Sequence, residues 1–360
     1  MNRRLGFTLT LSDLECAYRI DPRLGEAATE TVVSNVAGLM RLLSLSPKTL
    51  QPFLLAIPPF FRRSPSSVQT QFTDNAALIG MPWKRYVKKV LKHHRIANTT
   101  PAGVQNLIAT LSFSLAMKPT SVTAMLRRNI QLLASNADTL ADNITAAIAL
   151  LDLSPQSYAK IATRMPSLLA TPALTLQAKV NAFAETFGIP LSAALKVMQR
   201  APQLMAMAPQ TILGNIEATA ALLAISTETW RATILKRPSI TGYRPETIRA
   251  SANDIAELCC SPLHEVIPIL LKYPAIFGLS TKSMQDKLPH ILAVCHALGY
   301  KYSAADVLRE CPLAFTYATE RLMQRLRLAQ LGLGPASIMN LLSLADVKAE
   351  PLLKRSAFLP

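Results

Sequence analysis

The segment RMPSLLATPALTLQAKV, residues 164–180, decides the fold. It reads as the end of one helix, a proline that stops it, a short apolar turn and the start of a second helix. Proline lacks an N–H and restricts the residue before it, so a helix does not run through Pro166. Stepping by 36 residues in both directions from Pro166 reaches Pro22, Pro58, His94, Ile130, Pro202, Pro238 and Pro274, and a step of 38 then reaches Pro312. Seven of these nine anchors are proline, in a chain where proline is 25 residues of 360. Ten positions after the anchors stand Val32, Val68, Val104, Leu140, Leu176, Ile212, Ile248, Met284 and Leu322. Fourteen positions after them stand Val36, Phe72, Ile108, Ile144, Val180, Ile216, Ala252, Leu288 and Leu326. Both columns are apolar throughout, which is the signature of a repeat array. A unit of this size cannot bury its own stripe, so neighbours must stack.

Punctuation supplies the inside of one unit. Ser46-Pro47 and Ser154-Pro155 read as the cap and first turn of a helix such as Gln156 to Arg164. The anchor ends that helix, and one turn of 3₁₀ helix is expected at Ser167-Leu168-Leu169. A second cap follows at Ser64-Pro65, Asn136, Arg244-Pro245 and Ser280, opening an amphipathic second helix. Ser12 and Glu15 stand as a capping box for the first helix of the array. A bulged loop is expected at Gly299–Tyr302, where the period lengthens, and Pro268 and Pro289 are expected to kink their helices. The fold class is therefore all-α: a superhelical α-solenoid, right- or left-handed, of about nine 36-residue helix–turn–helix repeats. Its expected division is an N-terminal tip over 1–10, a single array over 11–345 with a degenerate last unit near Pro351, and a cap or tail over 346–360.

Composition narrows the function. The formal charge is +16, yet half the chain is apolar and only 17% is charged, which excludes a disordered basic tail. With 12 glycines and no Gly-rich loop, a phosphate-cradling nucleotide motif is disfavoured. Cys16, Cys259, Cys260, Cys295 and Cys311 are odd in number and lack a framework spacing, so they are read as reduced, small buried hydrophobes. His93, His94, His264, His290 and His296 fall in no metal-ligand spacing, and neither G-x-S-x-G nor paired catalytic carboxylates can be located. Neither an enzyme nor a bound cofactor or metal is expected. No apolar run is long enough for a membrane span, so membrane is not an expected partner. The start, MNRRLGFTLTL, is too short for a secretory leader. An intracellular monomer is expected, in a bacterial cytoplasm or nucleoid or delivered into a host compartment.

Charge placement is the sharpest polar signal. Two residues before the anchor stand Lys92, Arg128, Arg164, Arg200, Lys236 and Lys272, a cation in six successive units. In a repeat array equal sequence position means equal surface position, so a row of phosphate contacts is expected. A cation at the end of a helix also meets the negative end of the helix dipole, which explains the column without a ligand. Residues 31–137 hold thirteen Lys or Arg against one acid, Asp74, and a solvated structural face would interleave acids. Within this region PWKRYVKKVLKHHR puts Lys84, Lys88 and Lys92 on one helical stripe with Arg85 and Lys89 beside it. An uncompensated stripe stores self-repulsion that a polyanion relieves. Thirteen positions after the anchors stand Asn35, Gln71, Leu107, Asn143, Lys179, Asn215, Ser251, Lys287 and Arg325. The polar members have the donors that read base edges, or else bond between units. Aromatic residues are too sparse for a stacking platform in every unit, which disfavours a dedicated single-strand binder.

The basic residue, spacer, proline and apolar turn resemble the repeat of the mitochondrial transcription termination factor (MTERF) family. The segments that carry the likeness are MPSLLATPALTLQAKVNAFAETFGIPLSAALKVMQRAPQLM, 165–205, and ILLKYPAIFGLSTKSMQDKLPHILAVCHALGY, 269–300. The resemblance implies a curved helical solenoid whose basic groove binds double-stranded DNA or, in some members, RNA. It also implies a role in transcription regulation or termination, and an organelle as a possible compartment. An RNA-binding member of the same family, and a scaffold for an acidic protein partner, stand as alternatives.

Overall fold

The computed structural model describes residues 2–333, 337–343 and 349–352, and all regular structure among them is helical. The chain divides into two compact units, Met1–Ala178 and Lys179–Pro360. In the first unit the leading helices of the repeats are Leu11–Ile20, Pro47–Ala56, Trp83–Lys92, Pro119–Arg128 and Pro155–Arg164. In the second they are Leu191–Arg200, Thr227–Lys236, Leu263–Lys272 and the shortened Ala304–Glu310. Every leading helix from Leu11 to Leu263 therefore starts 36 residues after the one before it, as the anchors require.

One residue separates each leading helix from its anchor, and it takes the same backbone in every full repeat. Ile57 sits at φ −138°, ψ 73°, His93 at −127°, 74°, Asn129 at −127°, 77° and Met165 at −139°, 77°. This conformation suits a residue before proline, yet it persists before His94 and Ile130, so stacking imposes it and proline only favours it. A 3₁₀ turn follows, for example Pro58–Phe61, His94–Asn98, Ile130–Ala134 and Pro166–Ala170. The second helix then opens on its cap: the Ser64 hydroxyl, Thr100 hydroxyl and Asn136 amide oxygen accept from the backbone N–H three residues on.

Second helices pack on their successors within each unit, as do the 3₁₀ turns His94–Asn98 and Ile130–Ala134. The column ten residues after the anchor is buried in every repeat, from Val32 to Leu322. The column at fourteen is buried at Val36, Phe72, Ile144, Val180, Ile216 and Ala252 but only half-buried at Ile108, Leu288 and Leu326. Each such side chain contributes roughly 1.5–3 kcal/mol when fully buried. That burial, repeated along the stack, holds the fold.

A second column lies at the corner between repeats. Ser44, Gly80, Ala116 and Asp152 in the first unit, and Gly188, Ala224 and Cys260 in the second, all hold φ between +49° and +62°. The second helix ends there in a left-handed residue and hands the chain to the next leading helix.

Two expectations change, the first capping box and the burial of two cysteines. Leu11–Ile20 is capped by Thr10 and Asp13, not by Ser12 and Glu15: Asp13 N–H donates to the Thr10 hydroxyl at 3.1 Å, and Thr10 N–H donates to the Asp13 carboxylate at 2.8 Å. The helix begins earlier than Ser12, and a box must sit just outside its first turn. Within residues 1–10, Asn2–Leu5 is helical and Leu5, Phe7 and Leu9 are buried. Pro268 and Pro289 lie inside the helices Leu263–Lys272 and Thr281–Ala297, as expected. Cys16 and Cys260 are exposed, whereas Cys259, Cys295 and Cys311 are buried thiols as expected. The lengthened step does fall at Gly299, with φ +88°. Most of the C-terminal cap or tail, 346–348 and 353–360, lies outside the described residues.

Candidate nucleic-acid interface

The leading helix of each middle repeat ends on its cation: Lys92, Arg128 and Arg164 in the first unit, Arg200, Lys236 and Lys272 in the second. All six are exposed. The turn into the anchor leaves the carbonyls of the last helical turn without helical partners, and a cation there meets partial negative charge. The arginines reach further. Arg128 Nη1 donates to the Thr163 carbonyl at 3.1 Å, and Arg200 Nη2 donates to the Leu235 carbonyl at 3.1 Å. Thr163 and Leu235 immediately precede Arg164 and Lys236, so these guanidinium groups extend to the next rung of their own unit. A guanidinium has five N–H donors, so one carbonyl does not exhaust Arg128. Among the described residues, no carboxylate forms an ion pair with Lys92, Arg128, Lys236 or Lys272.

The densest charge is on Trp83–Lys92. Tyr86, Val87 and Val90 face the core, which forces Lys84, Arg85, Lys88 and Lys92 outward and leaves Lys89 half-buried. Three other cations of this region serve the fold. Arg62 donates to the buried Asp21 carboxylate at 2.9 and 3.0 Å, Arg63 covers the Phe60 ring, and Arg127 donates to the Gly80 carbonyl at 3.2 Å. Lys160 and Lys196 were missed by the sequence reading. Each lies exposed one helical turn before Arg164 and Arg200, the same relation that Lys88 has to Lys92. The i,i+4 rule applied to the ladder would have found them.

The row has ends. Ala56 stands at the ladder position before Lys92, and Glu310 stands at that position after Lys272. Beside Glu310, Arg309 is paired with Glu265 at 3.2 Å and Asp306 at 3.5 Å.

The column thirteen residues after the anchors points elsewhere. Asn35 Nδ2 donates to the Arg62 carbonyl at 3.0 Å, and Gln71 Nε2 donates to the carbonyls of Ala97 at 2.8 Å and Thr99 at 2.7 Å. Lys179 Nζ donates to the Ala206 carbonyl at 3.3 Å, and Lys287 Nζ to the Phe315 carbonyl at 2.9 Å. Each bond reaches the short anchor turn of the following repeat or the residue that ends it, a 3₁₀ turn except at the α-helical Gln203–Ala206, and its carbonyls need donors once buried. Gln71 and Arg325 are 7% and 0% exposed, so no base edge reaches them. For these members the inter-repeat reading replaces base reading. Asn143, Asn215 and Ser251 are half-buried.

Among the described residues no helix is long and apolar enough to cross a membrane, and no cluster of His, Cys, Asp and Glu could hold a metal ion. No curated protein matches the chain. The mTERF family model matches residues 3–280, covering the repeats that carry the cation row. The period, the 3₁₀ anchor turn and this match agree: the chain belongs to the mTERF family, whose members are in general nucleic-acid-binding helical-repeat proteins and not enzymes.

Proposed function

We propose that this protein binds double-stranded DNA along the exits of its leading helices and regulates transcription, including its termination, by occupying its site. Lys84, Arg85, Lys88, Lys89 and Lys92 make the strongest local contact with phosphates, joined in the first unit by Arg128 and Arg164, while Arg200, Lys236 and Lys272 make the contacts of the second. The observation that carries this reading is one cation in one register at six successive helix ends, all exposed. Helix capping alone would accept uncharged polar side chains there as readily. The sparse aromatics favour a duplex over a single strand. We assign any base contact to Asn143, Asn215 and Ser251, the members of their column without a hydrogen bond to a neighbouring turn.

The test is an electrophoretic shift with random duplex DNA, duplex RNA and single strands at two salt concentrations. Six neutralised phosphates give log K against log salt a slope of about −5. A slope near zero overturns the electrostatic reading, and preference for duplex RNA moves the protein to the RNA-binding side of its family. Failure to retain any nucleic acid above the background of a basic protein supports a scaffold for an acidic protein partner instead.

A further inference from the structure

The first unit carries an open cleft of about 570 Å³ where the 3₁₀ turns His94–Asn98 and Ile130–Ala134 meet the end of Pro47–Ala56. Its polar wall is His93, His94, Arg95, Asn98, Gln131 and Ser135, and Ala56, Ile57 and Ile96 are among its apolar lining. The volume is that of a small-molecule site.

The cleft opens where the repeat departs from its own rule. Proline fills the anchor at Pro58 and Pro166 and is buried there, whereas His94 replaces it, only half-buried, with its imidazole edge-on to Phe53 at 5.6 Å. The neighbouring His93 is oriented rather than loose: Gln131 Nε2 donates to its Nδ1 at 2.8 Å, which leaves the proton of a neutral ring on Nε2. Burial, then the charges of Lys92 and Lys89 and the neighbouring His94, hold the His93 pKa below that of an ordinary histidine. No carboxylate lines the cleft, and Asp74 is the one acid in residues 31–137. Arg95, exposed at the rim, forms no ion pair among the described residues. The wall thus offers a fixed cation, N–H and O–H donors and an apolar face, with nothing to repel an anion.

We propose that this cleft is a binding site for a phosphate monoester carrying a planar base, a nucleoside monophosphate. The phosphoryl oxygens accept from Arg95, the histidines and the Asn98 and Gln131 amides, and the base lies against the exposed Ala56 and Ala134. A dianion held by charge-assisted bonds in this way is discriminated strongly from its uncharged nucleoside. The monoester is either a free nucleotide or the phosphorylated end of a strand. The cleft begins one residue beyond Lys92, but His94 and Arg95 are not among the residues assigned to the duplex, so either reading can fail without the other.

The test is isothermal titration of the full chain with adenosine monophosphate, adenosine, and a single-stranded oligonucleotide bearing a 5′-phosphate or a 5′-hydroxyl. Adenosine monophosphate is expected to bind at one site, about tenfold or more tighter than adenosine. Equal affinity for the two oligonucleotides assigns the site to a free nucleotide, and preference for the 5′-phosphate assigns it to a strand end. The variant His94→Pro/Arg95→Gln is expected to lose about tenfold in affinity for the monophosphate. It is expected to fold, because proline restores the anchor used by the other repeats. Should it not fold, the surface change Arg95→Gln alone is read for the same loss. Equal binding of adenosine and its monophosphate overturns the proposal, as does an unaffected folded variant. Duplex binding without nucleotide binding overturns this site alone, and nucleotide binding without duplex binding overturns the duplex reading alone.

Discussion

Ala116, Asp152 and Ala224 hold a backbone that ordinary L-residues avoid, with φ of 49°, 49° and 54°. A Cβ in that region crowds the neighbouring carbonyl, while glycine meets no such penalty and loses only chain entropy. Ala116→Gly and Ala224→Gly are therefore expected to raise the urea midpoint, each adding about 0.5–1 kcal/mol, and Gly80→Ala to lower it. Gln71 makes the opposite kind of contribution. Its buried amide serves the Ala97 and Thr99 carbonyls and its oxygen accepts from Arg63, so Gln71→Ala leaves several polar groups unmatched. The expected cost is about 2–3 kcal/mol in the same denaturation experiment. The corner column was hidden in the sequence because serine, alanine, aspartate and cysteine share it with Gly80 and Gly188. Only geometry imposed by stacking makes those residues equivalent.

At the scale of the element, the leading helix Trp83–Lys92 carries the strongest test of the interface. Lys88 and Lys92 are exposed and take no part in the core formed by Tyr86, Val87 and Val90. Lys88→Glu with Lys92→Glu is expected to weaken duplex binding at least tenfold in a shift assay while circular dichroism shows unchanged helix. Loss of the helical signal in that variant would show the stripe to be structural. Helices and their order were legible because Ser46-Pro47, Ser154-Pro155 and the anchor prolines act locally, within one turn. The cation row was legible for the same reason, being a repeated helix end. Gln71 and Lys287 stood open between base contact and bonding between units because a position on the flank of an apolar stripe can turn toward solvent or toward the next repeat, and only a neighbour decides. Their amide or ammonium group ends on a carbonyl 26 to 28 residues away, which no local pattern contains.

Across the whole molecule cations outnumber acids, 38 Lys and Arg against 22 Asp and Glu. The described ion pairs are Arg4–Glu30, Arg62–Asp21 and Arg309 with Glu265 and Asp306, in a chain with 38 Lys and Arg. Salt should then act oppositely on folding and on binding. Screening relieves repulsion among exposed cations, so the melting temperature is expected to hold or rise between about 50 and 500 mM salt. Over the same range affinity for duplex falls steeply, and calorimetry beside a binding titration separates the two responses. A melting temperature that dropped in parallel with affinity would mean that the cations are holding the fold together.

Glu310 gives that distribution a boundary, standing with a carboxylate where each of the six preceding repeats presents a cation. A polyanion lying on the second unit's Arg200, Lys236 and Lys272 meets repulsion there. Within that unit, retention of a duplex is expected to stop growing once Lys272 is covered, and Glu310→Lys is expected to extend the reach by one helix end.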